Sequence, residues 1–247
     1  MDCFVYHAPE LTPDLSVKPE GDVPVDCAIV VDVLRATTTI ATALTSRAEA
    51  IQAFADLDRL KAAGEAWDAN LRILSGERGG DKVAGFDLGN SPLDYTPGRV
   101  EGKRIFMSTT NGTRALQRVQ YAPVLLTAAL VNVDAVVKSV VEHQFNSLWI
   151  VNSGWQGDYS LEDTVCSGAI LHQLQSAGVD VTAGNDEAIA AIALYKTWSD
   201  DLLELLRQAS HGQRLLRLHK DSDLEYCAAL STLDIVPYQS DLGVLVA

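Results

Sequence analysis

Short apolar runs alternate along the chain with stretches of helical spacing, and a small polar loop separates each run from the stretch after it. The clearest runs are residues 27–33, 104–108 and 147–152, and the helical stretches that follow them begin near residues 40, 114 and 160. Apolar runs that are rich in β-branched residues and bounded by polar loops are typical of buried strands. The alternation therefore predicts a largely parallel sheet with helices between its strands.

Weaker patterns predict the remaining elements. We expect shorter strands at 50–54, 72–75 and 123–128, and helices at 57–70, 134–143, 186–206 and 210–218. A last strand is predicted at 233–238, at a sheet edge or strand end, because Pro237 has no backbone N–H to donate. The pattern predicts an α/β fold in which helices flank a largely parallel or mixed sheet. Residues 1–247 are predicted to form a single catalytic domain, or two closely packed α/β lobes.

The charge balance restricts the partners of the chain. Its 247 residues include 33 acidic and 19 basic side chains, which gives a formal net charge of -14, and 47% of the residues are hydrophobic. This composition is typical of a globular protein. It argues against broad binding to nucleic acid or to an anionic membrane, because both need clustered Lys and Arg. A small anionic substrate is compatible with it, provided that the pocket gathers its own cations.

The cysteines and the first residues indicate the compartment. No signal peptide opens the sequence and its apolar stretches are too short to cross a bilayer, so we expect a cytoplasmic protein. Cys3, Cys27, Cys166 and Cys227 are dispersed without a CxxC pair, which predicts reduced thiols and no disulfide. Cys166 follows a helix start and could be a thiolate, but a packing role is favoured.

The first polar loop carries a carboxylate, an arginine and three hydroxyl groups. Asp32 lies near the end of its apolar run, Arg35 follows, and Thr37, Thr38 and Thr39 come next. Ligands of open α/β sheets sit beyond the carboxyl ends of the strands, where helix N-termini favour anions. Asp32 is therefore a candidate ligand of a divalent cation, and Arg35 a candidate clamp for phosphate or carboxylate oxygens. The alternative is that the threonines cap the helix and Arg35 forms a surface pair.

The second loop repeats this combination of groups. Thr110, Asn111 and Arg114 form a candidate cradle for phosphate or carboxylate. Asn111-Gly112 could instead be only a tight turn, because both residues tolerate positive φ. The glycine spacing and the GK[ST] ending of a P-loop are missing, so the cradle would be of another type.

The third loop leads from Gly154 into a helix with an acidic start. Ser160 and Asp163 have the spacing of a capping box, which is a sufficient structural reason for both residues. Glu162 and Asp163 are also hard oxygen ligands of the kind that Mg²⁺ prefers. Since capping needs only one of the two carboxylates, at least one is left for another role.

A Gly-rich polar connection at residues 76–92 and one histidine complete the candidates. Arg78 lies between Glu77 and glycine and could reach an anion, although Glu77 could simply pair with it. Asn90 and Ser91 precede a proline and would by themselves indicate only a turn. His211 is the leading histidine for proton transfer, with a hydrogen-bonded structural role as the alternative.

Several motifs follow one another along almost the whole chain. They are DVLRATTT (32–39), GERGG (76–80), GFDLGNSP (85–92), TTNGTRA (109–115), SLEDT (160–164), SHGQRLL (210–216) and YCAAL (226–230) with a later Val-Pro (236–237). In this order they resemble the 2-phosphosulfolactate phosphatase family. The resemblance implies a fold particular to that family, a homodimer, and Mg²⁺-dependent hydrolysis of (2R)-phospho-3-sulfolactate to 3-sulfolactate and phosphate. In archaea this step belongs to coenzyme M biosynthesis.

Within that resemblance we place roles by chemistry. The expected catalytic residues are Asp32, Arg35, Glu162 and Asp163, with Asp32 and one of the two acids of the third loop as Mg²⁺ ligands. The expected substrate contacts are Arg35, Thr38, Arg78, Asn90, Ser91, Thr110, Asn111, Arg114 and Gly154. Arg35, Arg78 and Arg114 are expected to clamp the anionic groups.

Two alternatives stay open. Asp158 stands where the family commonly has a basic residue, and Asn152-Ser153 replaces a more usual Cys-Ala. These departures favour a phosphatase for another phosphorylated hydroxy acid. The other alternative is a non-catalytic anion-binding protein of the same fold. An aspartyl-phosphate at Asp32 ranks below the metal-ligand role, because no Asp-x-Asp signature is present.

Overall fold

A computed structural model describes residues 1–247. The strands are β1 (Asp2–Tyr6), β2 (Cys27–Val31), β3 (Ala50–Ala53), β4 (Arg72–Arg78), β5 (Asp81–Lys82), β6 (Arg104–Ser108), β7 (Val124–Ala128), β8 (Ser147–Asn152), β9 (Thr182–Ala183), β10 (Tyr238–Asp241) and β11 (Val244–Val246). The helices are α1 (Ala36–Thr45), α2 (Leu57–Glu65), α3 (Pro97–Val100), α4 (Gly112–Arg118), α5 (Val133–His143), α6 (Leu161–Ser176), α7 (Asp186–Trp198), α8 (Leu202–Gln208), α9 (Ser210–Arg217) and α10 (Asp221–Cys227).

All 11 strands belong to one mixed sheet, in the order β5-β4-β6-β3-β11-β10-β7-β2-β8-β1-β9. Two blocks of parallel pairing, β4-β6-β3 and β7-β2-β8-β1-β9, lie on either side of the hairpin formed by β10 and β11. The hairpin pairs antiparallel with β7 through β10 and with β3 through β11. The predicted α/β fold with a mixed sheet and flanking helices is confirmed.

Both faces of the sheet are covered, and β2 shows why. All five of its residues are buried. Cys27, Ile29 and Val31 point into a core cluster of 32 residues that includes side chains of α5, α6 and α7, while Ala28 and Val30 point into one of 23 residues shared with α1 and α4. A parallel strand that is buried on both faces must be apolar throughout, which is why β2, β6 and β8 are recognisable in the sequence.

Two predicted elements are wrong. The helix predicted at 186–206 is two helices, because the side chain of Asp201 accepts a hydrogen bond from the Glu204 N–H and caps the start of α8. No strand forms at 233–237, and the chain enters the sheet only at Tyr238. The carbonyl of Pro237 accepts from the Thr127 N–H at 2.9 Å, and the following hairpin lies in the middle of the sheet rather than at an edge.

The loops that carry the candidate chemistry meet beyond the strand ends. The loops after β2, β6 and β8 and the end of β4 approach one another there, and α9 closes the space from the side. No helix of this chain is both long enough and apolar enough to cross a membrane.

Candidate active site

A polar cavity of about 160 Å³ lies where these loops meet. We call it the inner cavity, and its lining residues are Asp32, Leu34, Arg35, Glu77, Gly79, Gly80, Asn90, Thr110, Asn111, Trp155, Gln156, His211 and Arg214. Five of the residues predicted for the site therefore line one space, namely Asp32, Arg35, Asn90, Thr110 and Asn111. They come from three separate parts of the sequence, as the strand-end argument predicted.

Asp32 is fixed by the backbone of α1 and by a close approach from α4. Its Oδ1 accepts a hydrogen bond from the Ala36 N–H at 3.1 Å, and its Oδ2 receives none. A Cβ atom on Gly112 would lie 2.7 Å from that Oδ2 and 2.5 Å from the Cβ of Ala36. Neither Asn111 nor Gly112 has a positive φ, so the tight-turn alternative does not hold. The glycine instead leaves room for the carboxylate.

The surroundings of Asp32 disfavour its charged form. Burial raises the pKa of this carboxyl to about 6, and the neighbouring acids Glu77 and Glu162 also act to raise it. Nearby His211 and the hydrogen bond from the Ala36 N–H act in the opposite direction and lower the pKa. Three acidic side chains thus act on one small region, which is the arrangement that a bound cation would stabilise.

Arg35 is held by a residue that the sequence interpretation did not single out. Its guanidinium forms an ion pair with Asp223 of α10, and both side chains are almost completely buried, with 3% and 2% of their surface exposed. The same guanidinium donates to the carbonyl of Gly80 at 3.3 Å, and Ser91 donates to the second oxygen of Asp223 at 2.7 Å. The surface-pair alternative for Arg35 is therefore wrong. No sequence motif includes Asp223, because its role depends on a contact with Arg35, which lies 188 residues earlier in the chain.

Glu77 connects two loops that line the inner cavity. One carboxylate oxygen accepts from the Gly80 N–H at 2.9 Å and the other from the Thr110 N–H at 2.7 Å. The sequence suggested that Glu77 pairs with Arg78, but the Arg78 guanidinium instead donates to the hydroxyl of Ser108 at 2.9 Å and to the carbonyl of Glu77. Glu77 thus fixes the relative position of the β4 end and the loop after β6.

Buried Glu162 contacts partly buried His211 beside the cavity. Glu162 Oε1 lies 3.3 Å from His211 Nδ1, and the imidazole ring stacks on Trp155 with 4.0 Å between ring centroids. The spacing of His211 and Arg214 places both on one face of α9, and both line the cavity. Arg214 also donates to the carbonyl of Gly79. Trp155 and Arg214 were missed as site residues, although Arg214 lies within the SHGQRLL motif.

Asp163 has a different environment from Glu162. Its Oδ1 accepts from the Val33 N–H at 2.8 Å and its Oδ2 from the Ser153 hydroxyl at 3.0 Å, so both oxygens join the start of α6 to neighbouring loops. The Ser160 hydroxyl accepts from the Asp163 N–H, as the capping-box spacing predicted. Burial raises the pKa of Asp163 well above its usual value, and nearby Glu162 and Asp32 raise it further.

Four other predicted substrate contacts do not line the inner cavity. Thr38 is fully buried and donates to the Val33 carbonyl at 2.8 Å, so it bonds the backbone as the alternative held, although no threonine side chain caps the start of α1. Gly154 has a φ of +70°, and a Cβ there would lie 2.7 Å from the Asp158 carbonyl, so this glycine is required by the backbone. Arg78 is exposed on the β4 end. Arg114 pairs with Glu10 at the surface, and 47% of each side chain is exposed. The geometry therefore gives the clamp role predicted for Arg114 no support.

The remaining predicted contact, Ser91, lies in an adjoining pocket of about 320 Å³ that shares Arg35, Gly80 and Asn90 with the inner cavity. We call this the outer pocket. A larger cavity, about 680 Å³, lies between β3, α2, α4 and the β10–β11 turn, and it shares no lining residue with the inner cavity. Its lining contains four glutamines and no concentration of charge, so we place the chemistry in the smaller cavity, whose lining has more charged side chains.

No group of three or more His, Cys, Asp or Glu side chains is close enough together to hold one metal ion. Asp32, Glu162 and Asp163 therefore do not form a preassembled three-carboxylate site. Two oxygens beside the cavity nevertheless receive no hydrogen bond from the protein, Asp32 Oδ2 and Glu162 Oε2. Asn90 Oδ1 is buried and also lacks a partner.

Comparisons with known proteins show what the whole chain is similar to. A family model described as 2-phosphosulpholactate phosphatase matches residues 11–241. Proteins named probable 2-phosphosulfolactate phosphatase are similar over the full length: one from Synechocystis sp. is 57% identical, covering 100% of both chains. One from Nostoc punctiforme is 57% identical over 99% of this chain and 98% of its own, and one from Microcystis aeruginosa is 53% identical over 100% and 99%. The resemblance seen in the motifs is thereby confirmed, and the chain belongs to the 2-phosphosulfolactate phosphatase family, a family of phosphoric monoester hydrolases.

Proposed function

We propose that this chain hydrolyses the phosphate ester of (2R)-phospho-3-sulfolactate and releases 3-sulfolactate and phosphate, with Mg²⁺ as its cofactor. The observation that carries the proposal is the inner cavity, in which a buried arginine, Arg35, lies among the buried carboxylates of Asp32 and Glu77. The names of the relatives from Synechocystis sp. and Nostoc punctiforme support the same substrate.

The donor atoms beside the cavity fit Mg²⁺. This ion is usually held by one or two carboxylates, several waters and substrate phosphate oxygens, so a cluster of three acidic side chains is not required. Asp32 Oδ2 and Glu162 Oε2 receive no hydrogen bond from the protein, whereas both oxygens of Asp163 do. We therefore assign Asp32 and Glu162, rather than Asp163, as the residues that would hold the ion. Bound Mg²⁺ would neutralise negative charge on the phosphate oxygens.

Hydrolysis moves the phosphoryl group from the ester oxygen to water. A new P–O bond forms to the water oxygen, the ester P–O bond breaks, and the released oxygen takes a proton to become the hydroxyl of sulfolactate. Arg35 binds phosphate oxygens through N–H groups that remain after its bonds to Asp223 and Gly80. His211 is the histidine of the cavity, and its contact with Glu162 and its stacking on Trp155 orient the ring for proton transfer to the leaving oxygen.

Phosphate release from a panel of substrates tests the proposal. The panel contains 2-phosphosulfolactate, 2-phospholactate and 2-phosphoglycolate, each assayed after EDTA treatment and again after Mg²⁺ is restored. We expect the sulfonated substrate to be hydrolysed fastest, and only with the metal. Faster release from another member would favour a phosphatase for a different hydroxy acid, and no release from any would favour an anion-binding protein. Full turnover without metal would remove the role of Mg²⁺.

Arg35 and Arg114 supply a matched pair of variants for the same assay. Arg35→Lys keeps the charge but loses the fork of parallel N–H groups, so we expect kcat/KM to fall tenfold or more. Arg114→Lys changes a half-exposed arginine paired with Glu10, and we expect kcat/KM to stay within about twofold. Equal effects of the two substitutions would contradict the assignment of Arg35. The homodimer implied by the family stays a prediction, which sedimentation of the purified protein would test.

A further inference from the structure

The outer pocket has a charge pattern that the proposed reaction does not explain. Its lining includes the cations Arg35, Lys82, Arg99 and Lys220. Arg99 is neutralised by Asp94 at 3.2 Å, and Arg35 is paired with Asp223. Lys82 and Lys220 form no ion pair and no side-chain hydrogen bond. In a chain with a net charge of -14, two lysines without ion pairs in one pocket are available to contact an anion directly.

The acidic residues of the outer pocket, together with Asp223, equal its cations in number, but none of them forms an ion pair with either lysine. Asp94 forms an ion pair with Arg99, whereas Asp87 has no ion pair and its Oδ2 accepts from the Leu74 N–H of the adjoining strand at 2.8 Å. Asp81 is the remaining acid of the lining, and it is exposed beside Lys82. Two lysines and two acids of the lining therefore have no ion pair, so the pocket would hold an anion through direct contact with the ammonium groups and not through an excess of positive charge.

Both lysines are placed by the fold. The Cβ of Lys82 lies 3.3 Å from the position that a Cβ on Gly89 would occupy, so the lysine stem packs over the backbone next to Asn90. Lys220 precedes α10, and its carbonyl accepts hydrogen bonds from Asp223 and Leu224 N–H groups at the start of that helix. The helix that orients Arg35 through Asp223 thus also sets the position of Lys220.

We propose that the outer pocket is the subsite for the non-reacting sulfonate of the substrate, held by Lys82 and Lys220, while the phosphate occupies the inner cavity. This inference rests on the proposed function. The phosphate is on the middle carbon of a three-carbon chain and the sulfonate on an end carbon, so they can occupy different spaces only if those spaces adjoin. The inner cavity and the outer pocket do adjoin, since they share Arg35, Gly80 and Asn90. A sulfonate in the inner cavity would lie beside Asp32 and Glu77 and compete with the phosphate for Arg35 and Arg214, whereas in the outer pocket it can contact the two unpaired ammonium groups. Lysine suits this task as a compact point charge.

Kinetics on two substrates that differ only in the sulfonate test the subsite. We expect the double variant K82Q/K220Q to lower kcat/KM for 2-phosphosulfolactate at least tenfold and to change kcat/KM for 2-phospholactate less than threefold. The control K138Q changes an exposed lysine on α5, outside both pockets, and should change neither value. Equal losses on both substrates would mean that the lysines hold the carboxylate, and no loss on either would mean that they hold neither group. Both outcomes overturn the proposal.

A binding measurement keeps the subsite separate from the reaction. Calorimetric titration with 3-sulfolactate alone needs no turnover, and we expect the double variant to bind it at least tenfold more weakly than wild type and K138Q. If wild type hydrolyses neither substrate, the proposed function fails, but weaker binding in the double variant would still support the subsite. Unchanged affinity, or no binding of 3-sulfolactate to wild type, would overturn it. Unchanged thermal unfolding of the double variant would confirm that the fold is intact.

Discussion

Replacing Asp223 by alanine should destabilise the protein more than any replacement of an exposed acid. The carboxylate accepts from Arg35 on one oxygen and from Ser91 on the other, and only 2% of its side chain is exposed. Removing it leaves the Arg35 guanidinium buried without a counter-charge. Breaking a buried ion pair from one side costs about 3–5 kcal/mol. In a chain of this length, each kcal/mol lowers Tm by about 2–4 °C. We therefore expect Tm to fall by about 6–20 °C.

Urea and thermal unfolding followed by circular dichroism measure this effect. Asp221→Ala is the matched control, because Asp221 lies on the same helix and is exposed, so its loss should cost no more than about 1 kcal/mol. The double variant Arg35→Met/Asp223→Leu should be more stable than Asp223→Ala, because it leaves no uncompensated buried charge. If the free energies of unfolding of Asp223→Ala and Asp221→Ala differ by less than about 1 kcal/mol, the buried ion pair does not make the expected contribution to stability.

The same residue also connects stability to activity. Asp223→Asn keeps the size of the side chain and an acceptor for Ser91, but it removes the charge that holds Arg35. We expect kcat/KM to fall at least tenfold in a variant that is still folded at the assay temperature. A folded Asp223→Asn protein with wild-type kinetics would show that Arg35 keeps its position without this partner.

Two further predictions concern other buried groups. Asp163→Asn keeps an acceptor for the Val33 N–H and should leave kcat/KM within about threefold. Asp163→Ala removes both hydrogen bonds and should lower the free energy of unfolding by about 2–5 kcal/mol. A folded but inactive Asp163→Asn variant would show that Asp163 is a catalytic residue. Burial raises the pKa of the Cys166 thiol well above its usual value and that of Cys227 to about 12, so both thiols are protonated at pH 8. Iodoacetamide should therefore label them only after unfolding in urea, and mass spectrometry would detect the label. Rapid labelling of folded protein at Cys166 would contradict its packing role.

The sequence was informative where one local cause determines the structure. Strands β6 and β8 were predicted with the bounds that the structure has, because a strand buried on both faces must be apolar at consecutive positions. Asp32 and Arg35 were identified for a similar reason, since polar residues directly after such strands must lie near the ligand-binding edge of the sheet. These inferences need only the chain within about ten residues of the feature.

The sequence was uninformative where the cause is a distant contact. Nothing near Asp223 indicates that it neutralises Arg35, and nothing near Glu77 indicates that it joins Gly80 to Thr110. Arg114 had the right residue type in the right loop, yet α4 points it towards Glu10. Strand β10 was missed because its four residues, YQSD, are exposed or half-buried and give no apolar run, although the strand lies inside the sheet.

The position of the β10–β11 hairpin has a consequence for folding during synthesis. Residues 238–246 fill the gap between β3 and β7, pairing Leu245 with Ile51 and Tyr238 with Leu126. Until these residues leave the ribosome, both parallel blocks expose an unpaired strand edge, and such edges are templates for pairing with other chains. One continuous sheet can therefore form only after β10 and β11 have been synthesised. Synthesis that terminates before residue 238 would release a chain with two open edges, and we expect such a chain to aggregate rather than to persist as a partly active enzyme.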